Sequence, residues 1–434
     1  MDAPDARLLL VSSPKVLVVG AGAREHAILA ALARSPQRPQ LVCAPGNPGT
    51  ATLAANFPVA VDDVPALVEL ARREQVDLVV VGPEAPLVAG LADALVAAGI
   101  DCFGPSRAGA ALEGSKAFCK EIMAAVAVPT AAHRVVSTVA EGLEAITAVQ
   151  GERWPAVIKA DGLAAGKGVI IAADRTEAEQ ALTELLVEHK FGTESVVVEE
   201  YMEGEECSLL AICDGTTAIP LASAQDYKRI FEGDQGPNTG GMGCYSPLPG
   251  IGPAEAERIV AEIHQPVLDE LRRRGIDFRG VLYAGLMLTT EGVKVVEFNA
   301  RFGDPETEAI LPRLNSDLLE LLSAAAAGRL GSVTLDWDPR PAVTVVLASA
   351  GYPQSASAGD VISGLDRIGP DVEVMHAGTA ADGGQIVTAG GRVLCITALS
   401  DSFAQAREAV YGAVDQIDFE GRQLRRDIAQ KVVA

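Results

Sequence analysis

The sequence predicts an α/β protein of several domains that opens on a parallel sheet, and three observations carry this prediction. Residues 15 to 113 alternate short apolar runs (KVLVVG, QLVCAPG, VDLVVVG, IDCFGPS) with stretches of helical period (REHAILAALARS, ALVELARREQ, LVAGLADALVAAG). That alternation is the signature of βαβ units with right-handed crossovers. A chain of 434 residues also exceeds one ordinary core, so two to four domains are expected. Finally, the texture changes twice, near residue 114 and near residue 336.

Composition narrows the function before any motif is read. A net charge of −23 and the absence of a basic stripe argue against nucleic acid as a partner. The seven cysteines, Cys43, Cys102, Cys119, Cys207, Cys213, Cys244 and Cys395, have no CxxC pairing, which fits small core residues in a reducing, cytoplasmic compartment. The leading MDAPDARLLLVSSP is acidic and only briefly apolar, unlike a signal peptide. No apolar run approaches the roughly 20 residues of a membrane span, so a soluble protein without a membrane partner is expected.

Taken in order, the first turn reads Gly20-Ala21-Gly22-Ala23-Arg24-Glu25 and opens a helix after a strand. Glu25 stands where a dinucleotide fingerprint has its third glycine, and no acidic residue closes QLVCAPG. What survives is a helix start able to receive a phosphate on backbone N–H groups, which disfavours a nicotinamide dehydrogenase. From about 114 to 190, two helices flank WPAVIKADGLAAGKGVIIAAD. DGLAAGKG lacks P-loop spacing and runs into a strand, so it reads as a hairpin, either plain or a flap closing over phosphates. EEYMEGEE joins two strands and by itself is an acidic turn. Residues 223 to 247 form a long Gly/Asn/Asp segment, expected to be a functional loop without secondary structure. Residues 336 to 434, short strands and one helix, read as a small α/β or barrel-like cap with no chemistry attached.

The stretch VVEFNARFGDPETE is the most polar strand-like segment. Period-two alternation puts Glu297, Asn299 and Arg301 on one face if the chain stays extended. Such a face is either wet, with Glu297 bridging Arg301, or it binds something that satisfies its charges.

Together, GAREHAILAAL, APGNPGT, GPEAPLVAGLAD, SKAFCK, KADGLAAGKGV, VEEYMEGEE, AQDYKR, GDQGPNTGGMGCYSP and EFNARFGDPETE resemble the phosphoribosylamine–glycine ligase (glycinamide ribonucleotide synthetase) family of the ATP-grasp superfamily. The likeness runs from about Lys15 to Ala429, and GPNTGGMG with FNARFGDPE is its most specific part. It implies a Rossmann-like pre-ATP-grasp domain over 15–113, a two-lobed ATP-grasp core over 114–335 with a flap at 126–194, and a C-terminal domain over 336–434. It also implies ATP-dependent ligation of glycine to 5-phosphoribosylamine through a glycyl phosphate, by a monomer or weak homodimer. Another carboxylate–amine ligase of the superfamily, or a regulatory protein that kept only nucleotide binding, are the rivals. Glu297, Asn299, Arg301 and both lysines speak against the second.

Carried onto this sequence, the resemblance assigns Lys116, Lys159, Gly162, Gly166 and Gly168 to the ATP phosphates. Backbone groups of Glu199, Glu200, Tyr201 and Met202 would read adenine, and Glu206 the ribose. Gly22, Arg24, Glu25, Asn47 and Glu84 would hold phosphoribosylamine. Arg301, with Asn238, Gly240, Gly241 and Met242, would hold the glycine carboxylate and acyl phosphate, and Lys228 and Asp226 are further catalytic candidates. Glu297 and Asn299 would ligate Mg²⁺ or Mn²⁺. Two departures from the family pattern stand out: Ala23 where glycine is usual, implying a stiffer first loop, and Gly285 where many ATP-grasp enzymes carry a third, acidic metal ligand.

Overall fold

The computed structural model describes residues 13–163, 168–331 and 333–433. The first layer is a five-stranded parallel sheet of Lys15–Gly20, Gln40–Pro45, Ala55–Asn56, Leu78–Val81 and Asp101–Phe103, with Lys15–Gly20 central. Its middle strands are apolar on both faces because helices cover both, as an all-parallel sheet requires.

Two antiparallel sheets follow. The flap sheet orders His133–Val136, Val196–Glu200, Ala156–Ala160 and Val169–Ala172. Helices Val139–Gln150 and Arg175–Leu186, capped by Thr138 and Asp174, close a separate core of Ile146, Ile158, Leu182, Leu185, Val196 and Val198. Val196–Glu200 is an inner strand of this sheet, so the flap extends past the expected limit at 194. The second sheet orders Ala218–Pro220, Glu205–Asp214, Arg279–Thr289 and Gly292–Asn299.

The C-terminal sheet is antiparallel and mixed in origin. Ala342–Ala348, Arg392–Leu399 and Val372–His376 are joined by Gln225–Asp226 and Gly243–Ser246 from the central part of the chain. The 223–247 segment is therefore not a loop without secondary structure. It contains these two strands and a hairpin of Arg229–Phe231 with Gln235–Asn238. The residues that alternate with its glycines explain why: Tyr227, Ile230, Met242 and Tyr245 are all buried. One apolar core, including Leu209, Leu282, Phe298, Val343 and Ile396, runs through both sheets. Among the described residues no helix is long and apolar enough to cross a membrane.

Candidate active site

The strand Gly292–Asn299 organises the cleft. Its pairing with Arg279–Thr289 slips between Gly285 and Leu286, so Glu297 lies opposite Gly285 while Val295 already lies opposite Leu286. This bulge at Val296 changes the phase of the strand, and Val295 and Phe298 both end in the core. Glu297 and Asn299 then share the opposite, cleft-facing side. No hydrogen-bond donor among the described residues reaches the Glu297 carboxylate. Gly285 occupies the facing position, where a Cβ would lie 3.5 Å from Glu297 Cγ.

The bulge also presents its carbonyl. Val296 accepts from Lys159 Nζ at 3.1 Å, and Val295 accepts from the Thr130 hydroxyl at 2.6 Å. Lys159 and Lys120 are both buried and share Glu199, at 2.8 and 3.0 Å. Burial alone would push the Glu199 carboxyl up, but the two ammonium groups reverse this and hold it below its usual range. Burial likewise opposes the charge on Lys159, and Glu199 and then Glu297 outweigh it, raising the lysine. Lys116 starts the helix Lys116–Ala125 and donates to Gly162 O at 2.9 Å, and burial lowers it despite Glu297. Gly168 closes the flap hairpin by accepting from Ala160 N. Gly166 and its neighbour Lys167 lie outside the described residues.

Of the adenine readers, Glu199 stands differently from expectation. It occupies an inner strand paired to both His133 and Val157, and its side chain belongs to the lysines. Glu200 N donates to Ala132 O and Tyr201 N to the Gln150 side chain, at 2.9 and 3.1 Å. Met202 N has no protein partner among the described residues. Glu206 is drawn into a cluster with Lys228 and Asp226, at 3.0 and 2.9 Å from the ammonium. Burial pushes Asp226 up to about 7, against the pull of Lys228.

Arg301 lies just past the strand end and turns toward the first sheet. It pairs with Glu113 at 3.0 Å and Glu84 at 3.5 Å, and it touches Asn299 Oδ1 at 3.3 Å. Burial opposes its charge, but Glu113 and Glu84 more than compensate. Arg24 approaches from the other side, donating to Phe302 O at 3.2 Å.

Several residues expected at the substrates also carry the scaffold. Glu25 accepts from Gly22 N and Arg24 Nε, both at 2.6 Å, so its carboxylate reaches back to the N-cap N–H of its own helix. Asn47 donates to Ala21 O and His376 O and accepts from Gly49 N and Thr50 N, which uses its side chain fully. Met242 packs with Ile230 and Ala348 in the core because its backbone is tied to Tyr227. Asn238 pairs with Arg229 across the hairpin. Gly240 donates to the Tyr352 hydroxyl at 3.0 Å, and Gly241, at φ +114°, passes so close to Pro305 that a Cβ would meet it at 2.4 Å. The Ala23 methyl is buried against Val346, Met375 and Cys395, giving the departure a packing role.

Sequence reasoning did not find Glu113, Lys120, Asp304 or Arg392. Arg392 comes from the segment read as having no chemistry, yet it pairs with Asp304 at 3.1 Å and donates to Gly240 O at 2.6 Å. Lys120 and Asp304 lie inside quoted motifs, SKAFCK and FNARFGDPE, but nothing local singles them out there, because each acts through partners distant in sequence.

A flap over a cleft whose floor carries lysines, a free carboxylate and an amide defines an ATP-grasp enzyme. Family models for phosphoribosylglycinamide synthetase match its N domain at residues 14–113, its ATP-grasp (A) domain at 114–307 and its C domain at 342–431. The chain is 49% identical over 426 residues to a phosphoribosylamine–glycine ligase of Allochromatium vinosum, covering 97% of this chain and 99% of that one. It is 50% identical over 422 residues to one of Streptomyces coelicolor, covering 96% and 99%. The crystal structure of the Thermotoga maritima phosphoribosylamine–glycine ligase superposes with a TM-score of 0.83 at 33% identity, covering 96% of this chain and all of that one. A biotin carboxylase domain from Hydrogenobacter thermophilus, at 18% identity and a TM-score of 0.72, covers 94% and 91% and shares the fold. The chain belongs to the phosphoribosylglycinamide synthetase family.

Proposed function

We propose that the cleft divides one ligation into two halves, activation of a carboxylate on the strand side and its capture by an amine on the side of the first sheet. The enzyme is an ADP-forming carbon–nitrogen ligase of de novo purine biosynthesis. It joins glycine to 5-phosphoribosylamine through a glycyl phosphate, giving glycinamide ribonucleotide, ADP and phosphate. A carboxylate is a poor electrophile, so the γ-phosphate of ATP is transferred to it first. Positioning and charge neutralisation dominate such a transfer.

The observation that carries this reading is the Glu297 carboxylate, half-buried with no donor among the described residues, beside the Asn299 amide oxygen. Two hard oxygen ligands without histidine or cysteine suit Mg²⁺, and Mn²⁺ by the same donors. Glu297 and Asn299 would hold the ion there, and it would supply charge neutralisation for the nucleotide phosphates. Lys116 and Lys159 hold those phosphates, and Gly162 and Gly168 frame the loop that covers them. Met202 N and the Glu200 backbone read adenine and Glu206 the ribose, while Asp226 holds the Lys228 ammonium. Lys228, Arg301 and the backbone of Asn238, Gly240 and Gly241 receive the glycine carboxylate and its phosphate. Gly22, Arg24 and Glu84 face the phosphoribosylamine, with Glu25 and Asn47 holding the loops in shape.

All seven cysteines are buried and unpaired, in keeping with a cytoplasmic protein, and we expect a monomer or weak homodimer. ADP release measured with glycine and freshly made phosphoribosylamine, each omitted in turn, tests the assignment. Release that needs neither would defeat it.

A further inference from the structure

A cavity of about 330 Å³ opens beside the cleft, walled by Gly22, Asn47, Asp304, Thr379 and Arg392 among others. It is within the size range of small-molecule sites. Asp304 is the only carboxylate among the lining residues. Its two oxygens differ. Oδ1 is held by Arg392 Nη2 at 3.1 Å, and Arg392 Nη1 donates to the Asp304 carbonyl at 3.0 Å. Oδ2 has no donor among the described residues and points to the first loop, where a Cβ on Gly22 would lie 3.7 Å away. The Gly240–Gly241 turn, expected beside the acyl phosphate, is fastened to the same Arg392 and passes close against Pro305.

Behind Asp304 lies Glu308, fully buried, with both carboxyl oxygens unpartnered among the described residues. Burial, and then the Asp304 carboxylate, push Glu308 well above its usual range. These two carboxyls and Cys395 have the spacing of a cation cluster, but Arg392 already supplies the positive charge there.

We propose that Asp304 is the proton acceptor of the second half-reaction, its Oδ2 receiving a hydrogen bond from the amine of 5-phosphoribosylamine and taking the proton as the amine attacks. The nitrogen lone pair forms the N–C bond to the acyl carbon. The C–O bond to phosphate breaks with its electron pair leaving on phosphate, and the nitrogen's proton passes to Oδ2. This inference rests on the reading that phosphoribosylamine lies against the Gly22 and Asn47 loops.

The test compares two nucleophiles on Asp304→Asn, which keeps an oxygen for Arg392, and on Asp304→Ser. ADP release is followed with glycine and either phosphoribosylamine or hydroxylamine, a small uncharged nucleophile that captures acyl phosphates directly. Turnover with phosphoribosylamine should fall about 10²-fold, the scale of a lost general base. The hydroxylamine-dependent rate should stay close to the parent's, which also shows that the variants fold. Parental turnover with phosphoribosylamine overturns the proposal. So does equal loss with both nucleophiles in both variants, which would put Asp304 in glycine activation. A parent enzyme whose ADP release does not need glycine with either nucleophile would instead defeat the reading beneath it, and this inference with it.

Discussion

The strand ending at Asn299 and the pair of loops at Glu25 and Asn47 look alike in sequence, since each region sets an amide and a carboxylate among glycines and apolar residues. In three dimensions they differ in what remains available. Asn47 and Glu25 have their side-chain capacity taken by neighbouring backbone groups and Arg24, so they shape the loops. Glu297 has no protein donor among the described residues and sits in a field raised by Lys116 and Lys159. Unused capacity at a half-buried charge points to a ligand, because a charge kept from water has to be balanced. Saturated capacity points to a scaffold.

The sharpest way to break this contrast is at Arg301, which belongs to both regions. Arg301→Met should lower turnover about 10²- to 10³-fold by removing a donor aimed at developing charge. It should also cost about 3–5 kcal/mol of stability, because Glu84 and Glu113 lose their buried partner. Calorimetry with a non-hydrolysable ATP analogue should show affinity little changed, whereas Lys159→Met should weaken it first. Equal losses of nucleotide affinity would erase the boundary drawn between the two halves.

Glu297→Gln comes next. It keeps the shape and removes charge from a metal ligand, so turnover should fall about 10²-fold while the melting temperature holds. Wild-type rates at saturating Mg²⁺ would make the strand face ordinary wet surface. Asn47→Ala should do the reverse. A loss of about 1–3 kcal/mol in urea unfolding is expected from the stranded backbone groups, with turnover at saturating substrate within about tenfold. A collapse of turnover with stability intact would move Asn47 into the ligand set.

The last contrast is one of pH, at Asp226. Its folded value near 7 exceeds the unfolded one near 3.8, so the folded protein holds a proton that the unfolded chain has released. Its contribution to stability therefore falls as pH rises between about 4 and 7. Asp226→Asn should flatten that part of the stability profile. An unchanged slope would mean the proton resides elsewhere in the cluster.

Much of this could be read from residues alone. Alternating runs gave the parallel sheet, and the two-residue spacing of Glu297 and Asn299 placed them on one face. The face survives only because a bulge at Val296 rephases the strand, and nothing in VKVVEFN marks a bulge. Saturation at Asn47 was not legible either, since one of its partners is the carbonyl of His376. The 223–247 segment was misjudged for a related reason. Its strands are short and rich in glycine, and the one that ties the segment to the C-terminal sheet, Gly243–Ser246, finds its outer partner only at Ala342–Ala348.

That last pairing has a consequence for how the protein is made. Gly243–Ser246 lies against Ala342–Ala348, roughly a hundred residues further along the chain, and Arg392 fastens Gly240 and Asp304 from later still. During translation the parallel sheet and the flap can assemble from nearby segments, but the Gly240–Gly241 turn lacks the Ala342–Ala348 strand and the Arg392 side chain until those later segments have been made. The flap is thus built from contacts close in sequence, whereas the shape of the Gly240–Gly241 turn depends on contacts made across a hundred residues or more.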